Sequence, residues 1–170
     1  ERHFPAWMTA ILRHGQGDRA AALALLFSPT GGHRHSDNLA ISFMDRGDEI
    51  LGDLGYVGDT QMNSWIRSTQ SHNLVVVDNG EQLFRSPERR PQFRMMVPSP
   101  RASVVEASSQ AYGQCREYRR TVTLIKGPDG QTFALDIFRV KGGSRHDYRL
   151  FSELASSDAS DGELRFEDIE

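Results

Sequence analysis

The chain has 170 residues, 38% of them hydrophobic and 25% charged, a balance that excludes an apolar-poor disordered polymer and suits one folded domain. Its formal charge of -3 gives no general field for nucleic acid or other polyanions, and its longest apolar run, residues 20–27, is far short of the ~20 residues of a membrane-spanning helix. No nucleic-acid or membrane partner is therefore expected, and Cys115, the single cysteine, cannot form an intrachain disulfide.

Along the chain, the first strands are expected at residues 6–12 and 21–27, with a turn signal at residues 15–18 between them. Leu39, Ile41 and Phe43 then alternate with small or polar residues, residues 45–48 supply turn chemistry and residues 49–51 resume, which predicts a hairpin. Residues 73–77 form a β-branched run that enters Asp78-Asn79-Gly80, a turn-favouring triplet, and predict a second hairpin. Arg85, Arg89, Arg90 and Arg94 follow; their planar forks suit carboxylate and sulfate, although a solvated surface accounts for most such arginines. A third hairpin is predicted from residues 118–125 and 132–140 around Gly127-Pro128-Asp129-Gly130, and a last strand at residues 148–154. Short strands divided by turns, with no long amphipathic helices between them, indicate an all-β fold, an antiparallel β-sandwich with few helices.

Three of the six histidines lie in two short segments, Gly31-Gly32-His33-Arg34-His35-Ser36-Asp37-Asn38-Leu39 and Ser71-His72-Asn73. If the first is extended, side-chain alternation puts His33, His35 and Asp37 on one face. Imidazole with carboxylate suits zinc, and three protein ligands with one open position is the pattern of a catalytic site. Asp53, in Gly52-Asp53-Leu54-Gly55, is a further candidate ligand. An HxH pair is weak by itself, and Asp53 and His72 read equally well as a turn former and a strand-end hydrogen bonder. On these residues alone the function stays undecided.

Taken together, Gly32-His33-Arg34-His35-Ser36-Asp37-Asn38-Leu39, Gly52-Asp53-Leu54-Gly55-Tyr56 and Ser71-His72-Asn73-Leu74-Val75-Val76-Val77-Asp78 resemble, in order and character, the signature of heparinase II/III-like polysaccharide lyases. Trp65-Ile66-Arg67-Ser68-Thr69 resembles that family's arginine-containing segment, and Gln82 stands where a glutamine commonly follows. The resemblance implies that residues 1–170 are a single C-terminal β-sandwich of a longer protein, with an N-terminal helical α/α toroid missing and the polysaccharide cleft between the two. It implies zinc held by His35, Asp53 and His72, with Asp37 orienting a ligand imidazole, His33 as the catalytic residue, and Arg67 and Tyr56 as substrate contacts. It further implies β-elimination on an acidic, uronate-containing glycan, such as a heparin-like or alginate-like polymer, by an enzyme that is periplasmic or secreted. The isolated domain would be inactive without the toroid. A non-catalytic, metal-stabilised carbohydrate-binding or scaffolding sandwich is the alternative, and an upstream toroid bearing tyrosine and polar groups would discriminate against it. A cupin-like oxygenase fits less well, because Asp53 and His72 do not match its later glutamate and histidine.

Overall fold

The computed structural model describes residues 1–28, 35–55, 62–83 and 91–152. Two antiparallel sheets carry the architecture. The first has five strands in sequence order: β1 (Arg2–Phe4), β2 (Thr9–His14), β3 (Ala21–Leu26), β4 (Ile41–Asp45) and β5 (Asp48–Leu51). The second has four, again between chain neighbours: β7 (Gln92–Val97), β8 (Ala102–Ser108), β9 (Glu117–Lys126) and β10 (Thr132–Lys141). A small ribbon pairs β6 (Val75–Val77) with β11 (His146–Tyr148). Among the described residues the only α-helix is α1, Met62–Ile66.

Alternation makes the sandwich. Ala10 and Leu12 of β2, Leu23 and Leu25 of β3 and Ile41 of β4 point inward and meet Val105 of β8 and Tyr118, Val122 and Leu124 of β9 in one buried cluster. Burying a large apolar side chain stabilises the fold by roughly 1.5–3 kcal/mol, so these inward positions supply most of the force joining the sheets. Leu23 is 0% exposed at the centre of this cluster. Leu23→Ala is expected to cost about 2–5 kcal/mol through lost transfer energy and a residual cavity, read as a lower urea midpoint at unchanged slope.

The turns follow local chemistry. Arg46 (φ 53°) and Gly47 (φ 91°) are both left-handed, the conformation a two-residue hairpin loop requires, and they join β4 to β5 as the sequence predicts. Gly130 (φ 74°) serves the β9–β10 hairpin, whose ten paired positions run from Thr132↔Lys126 to Lys141↔Glu117.

Four expectations need correction. The segment at residues 6–12 is not one strand: a turn at residues 5–8 separates β1 from β2. Leu39 does not start a strand; it is fully buried in a left-handed turn (φ 66°), a conformation that costs on the order of 1–3 kcal/mol and is offset by burial of its side chain. Asp78 (φ 53°) and Asn79 (φ 55°) form the expected turn after β6, but the chain beyond it makes no return strand at residues 81–83. β6 pairs instead with β11, which ends at Tyr148, so the last strand lies mostly ahead of the expected residues 148–154; of these, residues 153 and 154 fall outside the described residues. A glycine is needed opposite β6: at Gly143 (φ 83°) a Cβ would come within 2.4 Å of Val77 Cγ1.

Candidate metal centre

Of the segments carrying the candidate ligands, that of His35 and Asp37 joins β3 to β4, and those of Asp53 and His72 follow β5 and precede β6; backbone hydrogen bonds tie them to one another. Residues 35–40 are not a strand, so alternation along a strand is not what brings His35 and Asp37 together. The loop is held instead from outside: Ser36 N–H donates to the Arg67 carbonyl (2.9 Å), Leu39 N–H donates to Leu26 O (2.8 Å), and Gln82 accepts from Asn38 N–H (2.8 Å) while donating to Asn38 O (2.9 Å). The His72 segment follows α1 and a 3-10 turn at Thr69–Ser71, where Thr69 N–H donates to Glu81 (2.8 Å). Asn73 fastens the third segment, its amide donating to Gly52 O (2.8 Å) and Ile41 O (3.2 Å).

The result is a compact cluster. His35 Nδ1 lies 2.9 Å from His72 Nε2 and 3.5 Å from Asp53 Oδ1, and His72 Nε2 lies 3.2 Å from Asp53 Oδ2. Asp37 joins them, with one donor atom from each of the four residues all within 4.8 Å of one another. Atoms around a tetrahedral ion at 2.0–2.1 Å stand roughly 3.3 Å apart, and the three measured separations bracket that value. His72 Nδ1 is 2.7 Å from the Ser68 carbonyl, a contact that a ring N–H makes by donating; the neutral ring therefore presents its Nε2 lone pair to the cluster, and the protonated ring donates from Nε2 to Asp53. Gly55 N–H donates to Asp53 Oδ1 (2.7 Å) and sets the carboxylate's orientation.

Electrostatics agree with a site built for a cation. Burial alone would raise the Asp53 pKa, but the hydrogen bond from His72, the Gly55 N–H and the neighbouring imidazoles outweigh it and hold the carboxyl at about 2. Burial would lower the His72 pKa, yet the hydrogen bond to Asp53 and the charges of Asp37 and Asp53 raise it. For Asp37, burial dominates and raises the pKa, with Asp53 adding repulsion against the attraction of His72. Two carboxylates and two imidazoles in a partly buried pocket repel or compete for protons unless a cation sits among them.

Of the other expected site residues, Arg67 is exposed and its backbone carbonyl anchors the His35 loop, whereas His33 and Tyr56 lie outside the described residues. One residue was not anticipated. Arg120 is fully buried on the inner face of β9, its Nη1 donating to the carbonyls of Leu39 (2.7 Å) and Asn73 and its remaining donors pairing with Asp136. It thereby joins the loop that follows Asp37 to the residue that follows His72. The signal was in the sequence: Tyr118, Arg120, Val122 and Leu124 alternate, and an arginine in an inward register is expensive unless every donor is used.

Comparison with known proteins places this geometry in context. The sequence profile described as Heparinase II/III-like, C-terminal matches residues 2–161. An alginate lyase of Stenotrophomonas maltophilia is 29% identical over 161 residues, covering 83% of this chain and 21% of that protein. Among solved structures, a heparan sulfate lyase of Pedobacter heparinus has a TM-score of 0.64 at 21% identity, covering 80% of this chain and 21% of its own. A heparinase III has a TM-score of 0.63 at 21% identity, covering 85% and 23%. The structural matches establish the shared sandwich, and this chain spans about a fifth of the length of each of these relatives. With the profile match extending over nearly the whole chain, the chain belongs to the heparinase II/III-like family, as its C-terminal domain.

Proposed function

We propose that this domain supplies the metal-organised wall of the cleft in a polysaccharide lyase that cleaves acidic, uronate-containing glycans by β-elimination. The observation that carries the reading is the convergence of His35, Asp37, Asp53 and His72 from three separate segments. Two imidazoles and a carboxylate favour zinc over the oxygen-seeking magnesium or calcium. A zinc ion held by His35, Asp53 and His72, with Asp37 beside them, would fix the relative positions of the loops that carry the reacting side chains.

The chemistry itself falls to those side chains. β-Elimination removes the C5 proton of a uronate, forms the C4–C5 double bond with the electrons released, and expels the C4 oxygen, which takes up a proton. Histidine can exchange protons near neutral pH, so His33, two residues before His35, is assigned to base or acid duty. Arg67 is assigned to the substrate carboxylate, whose charge must be offset before C5 becomes acidic, and Tyr56 to a sugar contact. The remaining groups are assigned to a helical toroid elsewhere in the parent protein, and the parent to the periplasm or the exterior, where large glycans are degraded.

The experiment uses the parent enzyme and follows unsaturated-uronate absorbance. His33→Ala is expected to lower turnover on the order of 10²–10⁴-fold while zinc content stays at the wild-type level. Unchanged turnover removes His33 from catalysis, and no absorbance from wild-type enzyme on any uronate polymer removes the lyase reading.

A further inference from the structure

The outer face of the second sheet points away from the metal cluster, and half of it is strongly cationic. A groove of about 350 Å³ there is lined by Arg94 of β7, Arg116 just before β9, Arg119 near its start, and Lys141 at the end of β10. Arg139 sits directly across from Arg119 in the ladder and adds a fifth cation. Against these stand, among the described residues, two carboxylates, Glu106 and Glu117, so the described groove keeps a net positive charge in a chain whose total is -3.

The carboxylates lie deep and the cations outward. Glu106 and Glu117 side chains are 14% and 17% exposed, whereas Arg119, Arg139 and Lys141 are 36%, 42% and 70% exposed. Glu117 is spent on Arg119 and Lys141 (3.1 Å), which hold it ionised, and Glu106 on Arg119 (3.7 Å), Arg139 (3.6 Å) and Thr121 Oγ1 (2.6 Å). A donor remains: among the described residues Arg94 commits its Nε to Ser108 Oγ (2.8 Å) and uses neither terminal nitrogen. Between the cations stand Gln92, Ser108 and Gln110, neutral donors and acceptors suited to sugar hydroxyls. Among the described residues the one aromatic that lines the groove, Tyr118, is 1% exposed and presents no ring on which a nucleobase could stack.

We propose that this groove is a second binding site for an acidic oligosaccharide, with Arg94, Arg116 and Arg119 receiving carboxylate or sulfate groups. The inference rests on the reading that the parent acts on acidic glycans. It adds a site on the other side of the sheet from the His35–His72 cluster: Arg119 and Arg120 are adjacent on β9 and face opposite ways, one lining the groove and the other bracing the loops of that cluster. The sheet lies between them. Four strands at ~4.8 Å spacing make the groove's cationic rim ~14 Å wide, long enough to hold several sugar units of a polymer whose scissile bond lies elsewhere. Such a site would retain the polymer near the cleft between cuts.

The test is calorimetric titration of the chain with a heparin-derived hexasaccharide and, separately, with an oligouronate of the same length, in low salt. Binding of at least one is expected, weakening as ionic strength rises. Arg116→Gln should weaken it by about tenfold and Arg94→Gln/Arg116→Gln by about a hundredfold, with an unchanged melting temperature and unchanged zinc uptake. Arg94→Lys, which keeps the charge but loses the fork, should lie between. Wild-type affinity in the double variant, equal affinity for neutral maltohexaose, or tighter binding of a single-stranded DNA oligomer through the same arginines would each overturn the proposal. Groove binding by a chain that takes up no zinc would retain this site and reject the metal reading instead.

Discussion

Arg120→Met is expected to destabilise the domain by about 3–5 kcal/mol, the usual consequence of removing one partner of a buried ion pair. Arg120 has 0% exposure, and its loss leaves the Asp136 carboxylate, the hydroxyl of Tyr148 that donates to it, and the carbonyls of Leu39 and Asn73 to find other partners. Methionine occupies similar volume, so the loss measures the polar network more than a cavity. Arg120→Met/Asp136→Leu should recover a large part of the stability, because the stranded charge goes with it. A positioning role predicts more than instability. Under conditions where the double variant is fully folded, its zinc affinity should remain well below wild type, since the carbonyls on either side of the cluster are no longer drawn together. Urea unfolding and competitive zinc titration separate the two effects; wild-type zinc affinity in the folded double variant would make Arg120 a structural residue only.

If the His35–Asp53–His72 cluster holds zinc, as proposed, the ion should be a folding ligand. Its binding groups come from three loops, and a preformed set does not exist in the unfolded chain, so binding energy becomes folding energy. At a free concentration about a thousand times the Kd, stabilisation is about 4 kcal/mol, which for a chain of 170 residues corresponds to roughly 8–16 °C in melting temperature. Chelator-washed protein should lose that increment and regain it on titration with zinc. Asp53→Ala and His72→Ala should show no increment at all, even if their own melting temperatures differ from each other because Asp53 is exposed and His72 is buried. An equal increment in these variants would place the metal elsewhere.

How much of this was legible depended on how local each determinant is. The β9–β10 hairpin was readable because a Gly-Pro-Asp-Gly turn separates two strands in matched alternation. β7 and β8 escaped notice for opposite reasons. β7 is exposed at almost every position and interrupted between Phe93 and Met95, so it offers no period; β8 alternates, but its inward residues include the small Ser103 and Ala107, which give little hydropathic contrast. The continuous run Val75–Val77 is buried on both faces, and its partner is set by tertiary packing some seventy residues away, which turn chemistry at Asp78 cannot disclose. For the metal cluster, the motifs supplied the residues but not the geometry. His35 and Asp37 converge through a turn pinned by Gln82 and Arg67, and the brace at Arg120 is visible only once β9 has an inside.

The pairing of β6 with β11 also fixes an order of events. Each large sheet joins strands that are neighbours in the chain, so each closes over short loops and forms early. β6, which continues directly from His72 and Asn73, must wait for His146–Tyr148, and the search that brings them together spans the whole second sheet. During synthesis, His72 therefore gains its final support only after the ribosome has released nearly all of the residues described. Proteolysis between β10 and β11 would leave both sheets paired while freeing the strand next to His72, so the two sheets can outlive the histidine–aspartate cluster beside them.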